Sequence, residues 1–299
     1  MFKLIGAVAC VAVLVTGVGV ASSAPASTAG SIVYHARLKG ANNEIFVVNP
    51  KVGVAMRVTR NARSDSNPTW SANGARIAFE SNRDARNGRD ADVYVMRSDG
   101  TGVTPVTFTS AFDGDPAWSR AGRIAFESDR AGNMDVWAIN ADGSRQRQLT
   151  TDRAFDGDPA WSPDGSRVVF TSRRDTGDLE LYVMNVDGSG QTRLTSSPGD
   201  DQNPSWSPDG RRIAFDSMRD GNLEIYSMNP DGSDVRQVTD HPALDAIPSW
   251  APDSRRLVFV SDRVGKGQRR LYVANADGTG TARLVTKGAF DMSPDWARG

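Results

Sequence analysis

Short apolar runs recur along the chain at a nearly constant spacing, each bounded by polar turns. The clearest reads Arg76-Ile77-Ala78-Phe79 and returns as Arg123-Ile124-Ala125-Phe126, Arg167-Val168-Val169-Phe170, Arg212-Ile213-Ala214-Phe215 and Arg256-Leu257-Val258-Phe259. Consecutive apolar positions, without polar alternation, predict strands covered on both faces. A further strand follows each run and carries an aromatic at one fixed place: Phe46, Tyr94, Trp137, Tyr182, Tyr226 and Tyr272. It ends in an Asp-Gly turn, as at Asp99-Gly100, Asp142-Gly143, Asp187-Gly188, Asp231-Gly232 and Asp277-Gly278, a strong hairpin signal. An outer strand such as Arg147-Gln148-Leu149-Thr150 closes the unit.

Ahead of each apolar run stands a segment typified by Asp156-Gly157-Asp158-Pro159-Ala160-Trp161-Ser162-Pro163-Asp164-Gly165. Its Trp recurs as Trp70, Trp118, Trp161, Trp206, Trp250 and Trp296, at steps of 48, 43, 45, 44 and 46 residues. An Asp five residues earlier holds in every copy (Asp65, Asp113, Asp156, Asp201, Asp245 and Asp291), as does a Pro two earlier (Pro68, Pro116, Pro159, Pro204, Pro248 and Pro294). The Trp residues are structural, packing one unit on the next. Pro suits the first residue of a strand, because it fixes φ and donates no hydrogen bond. A period in this range with four strands per unit predicts an all-β fold, a β-propeller.

The two ends fix the blade count. Residues 31 to 59 supply three strands with no Trp strand before them, and Asp291 to Trp296 supply a Trp strand with nothing after it. Together they complete a first blade, giving six blades and a closed ring without free sheet edges.

The chain begins differently. Lys3, an apolar run from Leu4 to Val20 and the small residues Ala21 to Ala26 read as a signal peptide ending at residue 26, followed by a linker over 27–30 and the propeller over 31–299. An uncleaved membrane anchor is the alternative, since the apolar run approaches spanning length. Cys10, the sole cysteine, lies in that run, so the mature chain forms no internal disulfide. Losing Lys3 leaves 34 basic against 36 acidic residues. No field of that size recruits nucleic acid.

The sequence Pro204-Ser205-Trp206-Ser207-Pro208-Asp209-Gly210, then Ile213-Ala214-Phe215, Ser217-Met218-Arg219-Asp220-Gly221-Asn222 and Ile225-Tyr226-Ser227-Met228-Asn229-Pro230-Asp231-Gly232, resembles the repeats of the TolB-like propellers. The resemblance covers residues 31 to 299. It implies a six-bladed, exported, non-catalytic scaffold that binds a protein of the cell envelope or extracellular space, periplasmic or secreted, with no membrane span after cleavage. A monomer is expected, without the α/β domain that precedes the propeller in the family's namesake. Similar repeats also occur in lyases, so the alternative is a carbohydrate-active or sugar-binding propeller using the channel mouth.

The Asp ring and an Arg ring (Arg83, Arg130, Arg174, Arg219 and Arg263, each two residues after a Ser) are expected on one face, the candidate partner-binding face. The Asp residues either accept bonds from Arg or backbone and tie neighbouring blades together, or hold a cation. No cofactor is required by the first reading. For the second, Asp113, Asp115, Asp156 and Asp158 stand in adjacent blades and offer the hard oxygens Ca²⁺ prefers, though without a calcium-loop spacing. No nucleophile-elbow sequence is present, so no catalytic residue is assigned. The histidines, His35 and His241, are expected in loops of the Asp-bearing face, as surface residues or as partners of Asp245 or Asp291 in a metal site.

Overall fold

The computed structural model describes residues 30–38, 42–85, 90–175, 177–284, 286 and 290–298; the expected leader lies outside them. Six four-stranded antiparallel sheets make the ring. Blade 2 shows the order from channel to rim: Asp65–Trp70, Arg76–Ser81, Asp92–Arg97 and Thr104–Pro105. Blades 3 to 6 repeat it, with inner strands Asp113–Trp118, Asp156–Trp161, Asp201–Trp206 and Asp245–Trp250. Blade 1 joins both ends of the chain: Phe290–Trp296 is its inner strand, pairing antiparallel with Ile32–Arg37, followed by Asn43–Asn49 and Val54–Arg57. No helix among the described residues is long and apolar enough to cross a membrane.

The core lies between blades because the second and third strands are buried on both faces. The aromatics of adjacent strands meet within a blade, as Phe170 and Tyr182 do at 5.7 Å. Trp161 reaches across instead, donating Nε1–H to Ala117 O of blade 3 at 3.1 Å. The Thr that ends the outer segment of blades 1 to 5 has a fixed task. Thr195 Oγ1 accepts the Leu181 N–H at 2.9 Å and donates to Glu180 Oε2 at 2.6 Å, which satisfies polar groups in a buried strand. At the Asp-Gly turn, Gly188 has φ +85°, and a Cβ there would lie 2.5 Å from Leu149 O of the preceding blade. Only Gly serves both needs.

Pro is not the first residue of its strand. Pro159 is the fourth residue of Asp156–Trp161, just after Asp158 at φ 47°. Here the pairing register slips between Gly157 and Ala160, so the missing Pro donor falls where the ladder makes no demand on it.

Candidate functional site

The Asp ring caps one end of the inner strands. Asp156 pairs with Arg174 at 2.7 Å, Asp65 with Arg83 at 2.9 Å, Asp113 with Arg130 at 2.5 Å and Asp201 with Arg219 at 3.0 Å; Asp245 pairs with Arg263. Both members of each pair belong to one blade, so the Asp–Arg pairs do not themselves join neighbouring blades. The reason is the hairpin: the first strand begins with Asp beside the end of the second strand, whose Ser and following Arg fold back onto it. The Asp side chain also accepts from the segment leaving the preceding blade, as Asp65 does from Asn61, Asp113 from Thr109 and Asp201 from Ser197. Each Arg also lies over its own blade's aromatics, Arg174 at 4.8 Å from the Tyr182 ring. The Asp side chains are wholly buried and the Arg side chains 14 to 21% exposed, leaving a partner little to grip. Blade 1 departs from the rule: Asp291 accepts from Thr286 Oγ1, since Leu38 stands where the other blades have Arg.

The slipped register carries the chemistry. In every blade the residue before the Pro takes positive φ: Asn67, Asp115, Asp158, Asn203, Ile247 and Ser293. These residues line the channel cavity. Behind them stands one residue of the second strand: Glu80, Glu127, Thr171, Asp216, Val260 and, in blade 1, His35. The amide freed from the ladder reaches the preceding blade. Ile247 donates its N–H to Asp216 Oδ2 at 2.9 Å, Asp115 to Glu80 Oε2 at 3.4 Å and Asn67 to His35 Nδ1 at 3.2 Å. In these blades the amide-to-side-chain bond ties one blade to the next, beside the Trp Nε1–H bonds.

The pairs behind the bulges are not equivalent. Asn67 donates to Glu80 at 3.0 Å, Asn203 to Asp216 at 3.1 Å, and Thr171 to Asp158 at 3.0 Å, so each of these carboxylates has a donor. In blade 3 both positions are acidic, Asp115 and Glu127, and Asp158 adjoins them from blade 4. Oxygens of these three side chains lie within 4.8 Å of one another. Glu127 is 7% exposed, and its Oε2 has no hydrogen-bond donor. Gly157 makes the room: a Cβ there would lie 2.3 Å from Glu127 Oε2 and 2.5 Å from the Phe155 ring.

Burial, and then the charges of Asp158 and Glu80, pushes Glu127 up to about 8. Asp115 is held well above the ordinary carboxyl range by burial first and then by Glu127, Glu80 and Asp158. Burial likewise raises Asp158 and Glu80, and carries Asp216 to about 7. A cluster of buried acids resists ionisation unless a cation joins it.

Of the four acidic residues proposed from sequence, Asp115 and Asp158 come together, whereas Asp113 and Asp156 turn to Arg130 and Arg174. Residues two apart in a strand would share a face, but the bulge reorients the second. Glu127 is absent from the sequence proposal. Its signal was an acid inside an otherwise apolar strand, Ile124-Ala125-Phe126-Glu127. His35 lies within a strand rather than a loop; burial and nearby Arg37 lower it to about 3, so it is neutral. His241 is in a loop, where Nδ1 accepts the Ala243 N–H at 2.9 Å. Neither histidine belongs to the acidic cluster.

The same cavity, about 310 Å³ in all, continues toward the Ser-Pro-Asp-Gly hairpins as a bowl walled by the six Pro and five of the six Trp and edged by Ala72, Arg120, Pro163, Pro208 and Arg298.

The chain matches the model of the TolB beta propeller domain family over residues 109–196, 152–239 and 218–299. No curated protein matches it. Among solved structures it is similar to TolB from Acinetobacter baumannii, at 20% identity and TM-score 0.79, over 91% of this chain and 68% of that one. It is also similar to a chain of Kuenenia stuttgartiensis hydrazine synthase (14%, TM-score 0.74, 90% and 47% covered) and to a chain of a nidogen/laminin complex (8%, TM-score 0.72, 90% and 98% covered). At these identities the likeness is one of fold, which serves unrelated functions, so function rests on this chain's own residues.

Proposed function

Since the chain belongs to the TolB β-propeller family, we propose that it is an exported, non-catalytic scaffold that holds a segment of an envelope or extracellular protein in the hairpin-side bowl. The observation that carries this is how the bowl is walled. Five of the six Trp are at most 4% exposed, their rings spent between blades. A sugar-binding site wants open aromatic planes; this wall instead offers Pro rings, backbone and small side chains, which suit an extended peptide. Placing a photo-crosslinking amino acid at Ala72, on the bowl's edge, tests the reading in the producing cell. A discrete protein adduct from Ala72, absent when the crosslinker replaces exposed Val52 at the rim of blade 1, is expected; adducts from neither site, or equally from both, would reject it.

A second reading rests on Glu127 Oε2. Asp115, Glu127 and Asp158 fit one divalent cation: they are hard oxygen donors, close together, and one oxygen has no other partner. The cation would neutralise the acids beneath the bowl. Thermal melts in chelator and in millimolar-scale calcium should differ for the wild type and coincide for Glu127→Gln. A wild-type melt indifferent to calcium, magnesium and manganese refutes it.

A further inference from the structure

The hairpin rim is electrically divided. At the position two residues after the Trp, blades 4, 5 and 6 carry Pro163, Pro208 and Pro252, followed by Asp164, Asp209 and Asp253. Blades 1, 2 and 3 carry Arg298, Ala72 and Arg120 there, and neither Asn73 nor Ala121 restores the acid. Arg298 and Arg120 thus edge the same bowl from blades on either side of blade 2. Protein packed around Arg298 lowers its pKa first, the Asp295 carboxylate opposes this, and the Arg120 charge lowers it further, consistent with two guanidiniums near one space.

A third arginine extends the strip. Arg123, Arg167 and Arg256, each at the start of a second strand, stack on the Trp of the next blade at 5.4, 5.0 and 5.4 Å and are half-buried. Arg76, their counterpart in blade 2, is exposed and lines a cleft between blades 2 and 3 together with Arg120 and Trp118. Among the described residues no carboxylate lies within ion-pair distance of Arg76, Arg120 or Arg298, whereas the Arg ring on the opposite face is paired throughout. Among the described residues, the polar side-chain contact of Arg298 is a long bond to Trp206 O, 3.5 Å.

We propose that Arg298, Arg120 and Arg76 form an anion-reading strip, running from the bowl outward between blades 2 and 3, whose occupant is an acidic peptide segment of the partner. This rests on the docking reading above and supplies the partner's chemistry. The argument is charge complementarity. Exposed guanidiniums without an ion-pair partner, set along a concave surface, gain from carboxylates, which they bind in fork geometry. The cavity floor presents buried carboxyls and no guanidinium, so it gives an acidic segment nothing to pair with, and the segment lies across the rim rather than down the bore. A peptide is favoured over an acidic polysaccharide because the bowl leaves only Trp118 partly open for stacking against a sugar.

The test uses the mature chain and a fluorescein-labelled heptapeptide, Gly-Glu-Ser-Glu-Trp-Glu-Gly, beside a twin with Gln for every Glu. Anisotropy at low ionic strength should show the Glu peptide binding about tenfold tighter than its twin, with the margin shrinking as salt screens the charges. Arg120→Gln/Arg298→Gln should erase the margin without changing affinity for the Gln twin. Arg76→Gln, at an exposed position without an ion-pair partner, should narrow it and guards against misfolding of the double variant. Equal binding of the two peptides, binding of neither, or a margin that survives the double variant overturns the proposal. So does an oligogalacturonate that outcompetes the Glu peptide. An adduct from Ala72 alongside equal peptide affinities would leave the docking reading standing and remove only its acidic specificity.

Discussion

Asp295 accepts the backbone N–H of Trp70 at 2.7 Å, joining residues 225 positions apart where the ring closes. The same carboxylate accepts from Thr69 Oγ1 at 3.1 Å and Ser249 Oγ at 3.2 Å, so one side chain of blade 1 fastens blades 2 and 6. Trp296 adds an Nε1–H bond to Gly30 O at 2.8 Å.

Closure therefore carries stability. Trp296→Ala should cost roughly 3 to 5 kcal/mol, as for other large buried deletions. Removing residues 291–299 should cost at least as much, since the inner strand of blade 1 goes with them. Urea titration of both variants measures it, and a deletion that melts within a degree or two of the full chain contradicts closure.

The Asp–Arg ring and the acidic cluster should respond differently to substitution. Asp156→Asn weakens a charge-assisted bond to Arg174 and should lower stability by roughly 1 to 3 kcal/mol, equally in chelator and in calcium. Asp158→Asn relieves crowding among buried acids, so its effect in chelator should be smaller, and it should abolish any calcium-induced gain. Identical calcium responses in the two variants would contradict this division of labour.

His35 gives the fold a defined acid limit. Its folded pKa, about 3, lies below the unfolded value near 6.5, so under acid the unfolded chain takes up a proton that the folded chain refuses. Its contribution is complete above about pH 6.5 and is lost as pH falls toward 3, at up to about 1.4 kcal/mol per pH unit. His35→Gln keeps an acceptor for the Asn67 N–H but does not titrate. The wild type should lose stability faster than the variant between pH 6.5 and 4; parallel curves would show that His35 is not held neutral.

The sequence by itself determined the six blades, their strand order and the closing of the ring. Those depend on period and composition: the Trp spacing, the apolar runs and the Asp-Gly turns are each local signals repeated often enough to leave no other architecture. It also placed Asp and Arg at one end of the blade. What tertiary structure alone decided is which acid meets which neighbour. A bulge of one residue turned Asp158 into the channel while Asp156 stayed with Arg174, and no local pattern announces a register slip. Glu127 became part of the cluster because the curvature of the ring sets its strand beside the next blade's Asp158. The divided rim was written in the chain all along, as Arg120 and Arg298 in place of Pro. It gained meaning once Arg120 and Arg298, from blades 3 and 1 and far apart in the sequence, were seen to edge one bowl.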